Sequence, residues 1–362
     1  MSKSTLFFVA LLALAAALAA LFRSGRKPRS APRTDTDEAA PPEPAAAPGA
    51  DAEPGAAAGP QVDLPARLHE LAFGSALRPP AEDPVHREVA ASVDLALTGP
   101  VLKAEYAPRR PLLLPKLVQA VNDESVSRRE LSTLIAQDPA LAGNLLRLAN
   151  SAFYRVNAQP VESIDRAVAL LGTSGIRSLL AAALMQPVFR TSTGEFKRFA
   201  DVTWEHTQFS AGAAEAYAAI VADEDPFAAQ LLALLIGLGT ILVFRAAMDQ
   251  YAENEVAADA ATVAALIAQY EATVATRVAQ SWELSERIVA ALEDQSPQRQ
   301  SQRRTPLGAA LRFGRHCGTI AVLRHAGILD DDGCVAALRA GGFRGPAVER
   351  IWARLAKQAG AE

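Results

Sequence analysis

Residues Asp138 to Tyr154 read DPALAGNLLRLANSAFY, and a little further on Ser163 to Gly172 read SIDRAVALLG. Asp138 offers a side-chain acceptor to the unpaired N–H groups of a helix start, and Pro139 fits the first helical position, where a missing N–H costs nothing. Leu141, Leu145 and Leu148 then fall on one face, with Leu146 and Ala149 beside them. In the second string Ser163 can cap, Ile164, Val168 and Leu171 make the apolar stripe, and Gly172 is placed to end the helix in a left-handed turn. Two helices of a compact bundle are expected.

The same period recurs on both sides. Leu64, Leu68 and Leu71 form one stripe, and Val85, Val89, Val93 and Leu97 form another. Val263, Leu266, Ile267, Tyr270, Val274 and Val278 form a third. Alternating strand patterns are hard to find, and only 6% of residues are aromatic. The expectation is an all-α fold. Leu231 to Phe244 (LLALLIGLGTILVF) is apolar on every face. It falls short of the ~20 residues a membrane span needs, and Gly237, Gly239 and Arg245 weaken that reading, so a central core helix is expected.

Leu6 to Phe22 is a longer apolar run, followed at once by Arg23, Arg26, Lys27, Arg29 and Arg33. Basic residues collect on the cytoplasmic side, and Lys3 is outweighed, so the run reads as a single-pass inner-membrane anchor with the remainder cytoplasmic. The rival is a cleaved signal peptide ending near Ala17-Leu18-Ala19. From Ser30 to about Pro60 the chain is nearly all Ala, Pro, Gly and acidic residues, with too little apolar surface to fold, which reads as a disordered spacer. The expected layout is an anchor with basic flank over 1–29, a linker over 30–62, a helical extension over 63–107, the main domain over 108–300 and a C-terminal helical extension over 301–362. In that last extension Leu338, Val348, Ile351 and Leu355 are expected to be buried, and Gly341-Gly342 to break the helices.

A net charge of −4 argues against nucleic acid as a partner. Cys317 and Cys334 form no CxxC and suit a reducing compartment, without structural disulfides. No glycine-rich phosphate loop, GxSxG elbow or supported Cys–His pairing occurs. His316, Cys317, His325 and Cys334 match no compact zinc spacing and read as packing residues. The basic run from Arg299 to Arg304 reads as a solvated loop, with contact to anionic lipid as its alternative.

The Leu-Pro pair at Pro115, the string from Asp138 to Tyr154 and the string from Ser163 to Gly172 together resemble the HDOD domain, an output-type relative of the HD phosphohydrolases used in bacterial signalling. The resemblance covers roughly Pro111 to Gln295 and implies an HD-type helical bundle. It marks Pro115, Asp138, Pro139, Asn150, Ser151, Gly172, His206, Gly239 and Trp282 as family-motif positions. On their own chemistry Asp138, Asn150, Ser151 and Gly172 read as caps and turn-formers rather than ligand contacts.

HD hydrolases hold metal through a lone histidine, a His-Asp pair and further ligands on neighbouring helices, so that bound water becomes a nucleophile. None of the five histidines here is followed by aspartate. The resemblance would place the His-Asp pair just before Gly239, where Ile236 and Gly237 stand. Further ligands would fall near Glu271 and about Gln295, and only His206 matches a histidine position. The expectation is therefore no catalytic residue, no cofactor and no metal, with His206 a helix-face histidine satisfied by a local hydrogen bond. The function expected is a non-catalytic, membrane-tethered signalling or scaffold module acting through protein contacts. Two alternatives stay open. One is a metal-dependent phosphohydrolase with a shifted Mg²⁺ or Mn²⁺ site at Asp201, Glu205, His206 and Glu271. The other is a sensor for a nucleotide or second messenger, filling an apolar hollow beside Leu235 and Ile236.

Overall fold

The computed structural model describes residues 63–77, 83–100, 120, 126–137, 142–143, 145–146, 149–150, 160–172, 176, 196, 198–299 and 303–359. The apolar run Leu6–Phe22, the linker and the motif residues Pro115, Asp138, Pro139 and Ser151 lie outside the described residues. Among the described residues every regular element is helical. They are α1 (Leu64–Phe73), α2 (Pro84–Thr98), α3 (Arg128–Ala136), α4 (Phe199–Tyr217), α5 (Pro226–Glu253), α6 (Ala260–Ser281), α7 (Glu286–Glu293), α8 (Pro306–His325), α9 (Asp331–Ala340) and α10 (Pro346–Ala359). A π-helical turn, Ala218–Ala222, follows α4.

The helix starts repeat one device. Asp83-Pro84, Asp225-Pro226 and Thr305-Pro306 each place a side-chain acceptor before a proline that needs no partner. The acceptors take the N–H groups of Val85, Phe227 and Gly308 at 3.0, 2.9 and 3.0 Å. Ser127 and Glu130 close a reciprocal capping box at α3. The helical run 164–172 behaves as its sequence suggests: Ser163 Oγ accepts the Arg166 N–H at 3.3 Å, and Gly172 ends it at φ +62°. Asn150 joins the two motif strings. Its Nδ2 donates to the carbonyls of Leu146 and Val161 at 2.9 and 2.8 Å, and its Oδ1 accepts the Val161 N–H at 2.7 Å.

α5 runs through the centre, with Leu231 to Gly239 and Ile241 to Val243 all buried. It is a helix long and apolar enough to cross a membrane, yet 78% of its apolar window is buried within the protein, as expected of a core helix. α4 and α6 pack against it, and α8 packs on α4 in the most extensive helix pair. Glycine permits these approaches. A Cβ at Gly237 would stand 2.3 Å from Thr207 Oγ1, one at Gly239 would stand 2.3 Å from the Glu271 carbonyl, and one at Gly314 would stand 2.5 Å from the Ser210 carbonyl.

The two extensions are part of the same core. α1 is pinned by Phe73, whose ring lies 4.9 Å from Phe196 and 5.4 Å from Phe199, which stacks on Phe244 at 3.9 Å. α2 buries Val89, Val93 and Leu97, and Arg277 of α6 donates to its terminal carbonyls at Leu97 and Gly99. In α9 and α10, Leu338, Val348, Ile351 and Leu355 are buried as the periodicity predicts, and Gly341-Gly342 separates the two helices.

Candidate functional site

A cavity of about 610 Å³ opens between α1, α4, α6 and the start of α8. Its size is that of a small-molecule site. His206, Glu271 and Gln295 all line it. These are three of the places where the family resemblance puts ligands, so the fold does bring those positions together. The fourth place does not take part. Leu235 and Ile236 are 1% and 3% exposed inside the core, and neither lines the cavity, which corrects the expectation of an apolar hollow beside them. Gly237 is packed on Thr207 too closely for any side chain.

The wall is charged, and much of that charge comes from outside the motif region. α8 contributes Arg312, Arg315, His316 and Thr319, the turn before it contributes Arg304, and α1 contributes His69. Arg304 was expected in a solvated loop; its guanidinium instead belongs to the cavity wall because the chain turns there into α8. Arg299 pairs with Glu293 at 3.0 Å.

At the base, Arg315 forms an ion pair with Glu271, and the Thr240 hydroxyl donates to the other Glu271 oxygen at 2.7 Å. Glu271 is 9% exposed, so its charge sits where water screens little. The Nε–H of Arg315 is buried with no hydrogen-bond partner among the described residues. His206 Nε2 faces the α8 backbone, 3.2 Å from the Arg315 carbonyl, 3.2 Å from Thr319 Oγ1 and 3.4 Å from Ser210 Oγ. Burial first, then the Arg315 charge, pull the His206 imidazole down to a pKa of about 4, so it is neutral near pH 7. The local hydrogen bond expected of this histidine is present, to Ser210 of its own helix, and two further contacts run to α8.

Burial also lowers His69, against the Glu271 carboxylate, which raises it, and with the smaller Arg315 charge. His316 is lowered by burial and by Arg312, although its Nε2 lies 3.0 Å from the Ala337 carbonyl. Arg312 is itself lowered by burial and by its neighbour Arg304. Burial is thus the first cause of the lowered proton affinity at all four basic groups around the cavity.

The shifted metal site does not assemble. His206 and Glu271 line the cavity, but Asp201 and Glu205 do not, and Glu205 instead pairs with His325 on the surface. Among the described residues no group of three or more His, Cys, Asp or Glu side chains gathers closely enough to hold a metal ion. Cys317 and Cys334 are free and buried, and burial pushes both thiols up, to a pKa of about 11 at Cys334. Gly239 and Trp282 are structural here: Gly239 admits α6, and Trp282, 1% exposed, ends it. Asn150 and Gly172 lie away from the cavity lining. Sequence reading missed Arg304, Arg312, Arg315 and His69. The spacing of Arg312, Arg315 and Thr319 on one helical face was the available signal.

The family model described as the HDOD domain matches residues 107–297, more than half of the 362-residue chain. A relative in Treponema pallidum (strain Nichols), described as an uncharacterized protein, is 28% identical over 137 residues, covering 37% of this chain and 26% of that one. The chain therefore spans about a quarter of that curated relative. Among solved structures, a candidate signal transduction protein from Marinobacter aquaeolei VT8 has a TM-score of 0.51 at 16% identity, covering 76% of this chain and 63% of that one. An HDOD domain protein of unknown function from Geobacter sulfurreducens has a TM-score of 0.49 at 20% identity, covering 76% and 95%. A candidate metal-dependent phosphohydrolase from Shewanella amazonensis SB2B has a TM-score of 0.48 at 17% identity, covering 76% and 100%. At 16% identity the likeness to the Marinobacter aquaeolei protein is one of fold.

Proposed function

Because the chain belongs to the HDOD domain family, we propose that it is a non-catalytic member, held at the inner membrane by Leu6–Phe22 and relaying signals through protein contacts. The observation that carries the reading is the ion pair of Glu271 with Arg315. Glu271 stands where the resemblance puts a metal ligand, and the positive charge beside it is a guanidinium supplied by α8. A cation entering there would have to displace Arg315, which is already matched to the carboxylate in a poorly screened site.

The donor set agrees. A hydrolytic metal needs several imidazole and carboxylate donors converging with one position left open. Of the positions implied, Ile236 offers no donor, Gly237 has no room for one, Gln295 spends its Nε2 on the carbonyls of Ala291 and Gly308, and His206 spends Nε2 on α8. The residues do not fit such a metal, and no hydrolytic step is derived through one. The anchor is supported by the apolar run and its basic flank, and the signalling role by the family's use as an output module.

The intact chain, purified and reconstituted with Mn²⁺ or Mg²⁺, is expected to carry substoichiometric metal by plasma emission and to release no phosphate from mono- or diesters. Metal-dependent turnover that His206→Ala abolishes would overturn the reading.

A further inference from the structure

The wall of the cavity divides by chemistry. Leu64 and Leu68 of α1 and Phe199 of α4 make an apolar side, while Arg304, Arg312 and Arg315 gather at the α8 side. These cations outnumber the two carboxylates in the same wall. Glu271 is matched to Arg315, and Asp294 accepts the backbone N–H and hydroxyl of Thr305, the cap of α8, at 2.7 Å each. Arg312 stands exposed at the mouth. Among the described residues its contacts are neutral: it donates to the Gly341 carbonyl at 2.9 Å and lies 4.8 Å from the centre of the Phe343 ring.

From this arrangement we infer that the cavity binds a small organic phosphate, with the phosphate against Arg312 at the mouth, on the Arg304 side of the wall, and the apolar body between α1 and α4. Guanidinium groups suit a phosphate because their fixed N–H forks match its oxygens. A bare inorganic ion would leave the Leu64, Leu68 and Phe199 side unfilled. Most of the defining groups, on α1 and α8, lie outside residues 107–297, so the site belongs to this chain's extensions rather than to the matched domain.

The inference rests on the non-catalytic reading, since the ligand is held and not turned over. The intact chain is mixed with p-nitrophenyl phosphate at constant ionic strength, and both the melting temperature and nitrophenolate release are followed. The expected result is a concentration-dependent rise in Tm, larger than with inorganic phosphate, and no release. Arg312→Gln should weaken binding about tenfold or more, because a charge-assisted contact is lost, while Arg287→Gln, a surface pair remote from the cavity, should bind as the unaltered chain does. No rise in Tm, or an equal rise in Arg312→Gln, overturns the inference and leaves the non-catalytic reading standing. Rise with release overturns that reading itself. Should Arg312→Gln fail to fold, histidine NMR of the unaltered chain decides: the His316 and His69 ring signals should shift and titrate at higher pH with ligand, and unchanged titrations refute the site.

Discussion

On one side of α8, Gly314 and Gly318 press the helix backbone onto α4, where added Cβ atoms would stand 2.5 and 2.2 Å from Ser210 atoms; on the opposite side, Arg312, Arg315 and His316 stand around a cavity of about 610 Å³. The helical period separates these sets, since positions 314 and 318 share one face while 312, 315, 316 and 319 share the other. One helix therefore closes a dry seam and furnishes a polar wall. The seam tolerates no added atom because backbone meets backbone, whereas the wall tolerates change wherever the remaining charges still have partners.

Overfilling the seam should do the most damage. Gly318→Leu should cost about 3 kcal/mol or more, enough to threaten folding, because Ser210 Oγ and the His206 carbonyl occupy the space a Cβ would need. Helical circular dichroism during thermal unfolding reads this. On the wall, Arg315→Met should cost about 2 kcal/mol by stranding Glu271, discounted because the Arg315 side chain is 27% exposed. Adding Glu271→Gln should recover most of that loss, and a double variant worse than the sum of its parts would deny the pairing.

Acid sharpens the contrast. His206 has its folded pKa lowered to about 4 from an ordinary value of 6.5, so the unfolded chain binds the proton first. Stability should be intact above pH 6.5 and decline as pH falls toward 4, by up to about 2–3 kcal/mol from this residue. His206→Gln should flatten that slope in urea titrations at successive pH values. The smallest effect belongs to the surface: Glu205→Ala, which removes the His325 pair, should change stability by less than about 1 kcal/mol at pH 7.

Much of the fold was legible because its signals are local. The all-round apolar character of Leu231 to Phe244 marked α5, and Val263, Leu266, Ile267, Val274 and Val278 marked the buried face of α6. Ser163 and Gly172 bound their helix as expected. The Asp83-Pro84, Asp225-Pro226 and Thr305-Pro306 starts carried the same kind of signal and would have fixed three boundaries.

The site was less legible, for a physical reason. Glu271 and Arg315 are remote in sequence, and no period on α6 or α8 says that they meet. Gly237 reads in sequence as a missing ligand, yet its absent side chain is equally a packing requirement against Thr207, visible only when α4 and α5 are in contact. Gly314 and Gly318 lie among apolar residues that by themselves mark only a buried helix, although a glycine at each end of one helical turn is a usable sign of close approach. The apolar hollow beside Ile236 was wrong because α5 is enclosed on every side, and the chain's charged extensions line the space instead.

The most direct measurement is the melting temperature of the intact chain titrated with Mn²⁺. A guanidinium already matched to Glu271 predicts a Tm that does not move as metal is added. A saturable rise in Tm that His206→Ala removes would show a metal held there, and would contradict the account.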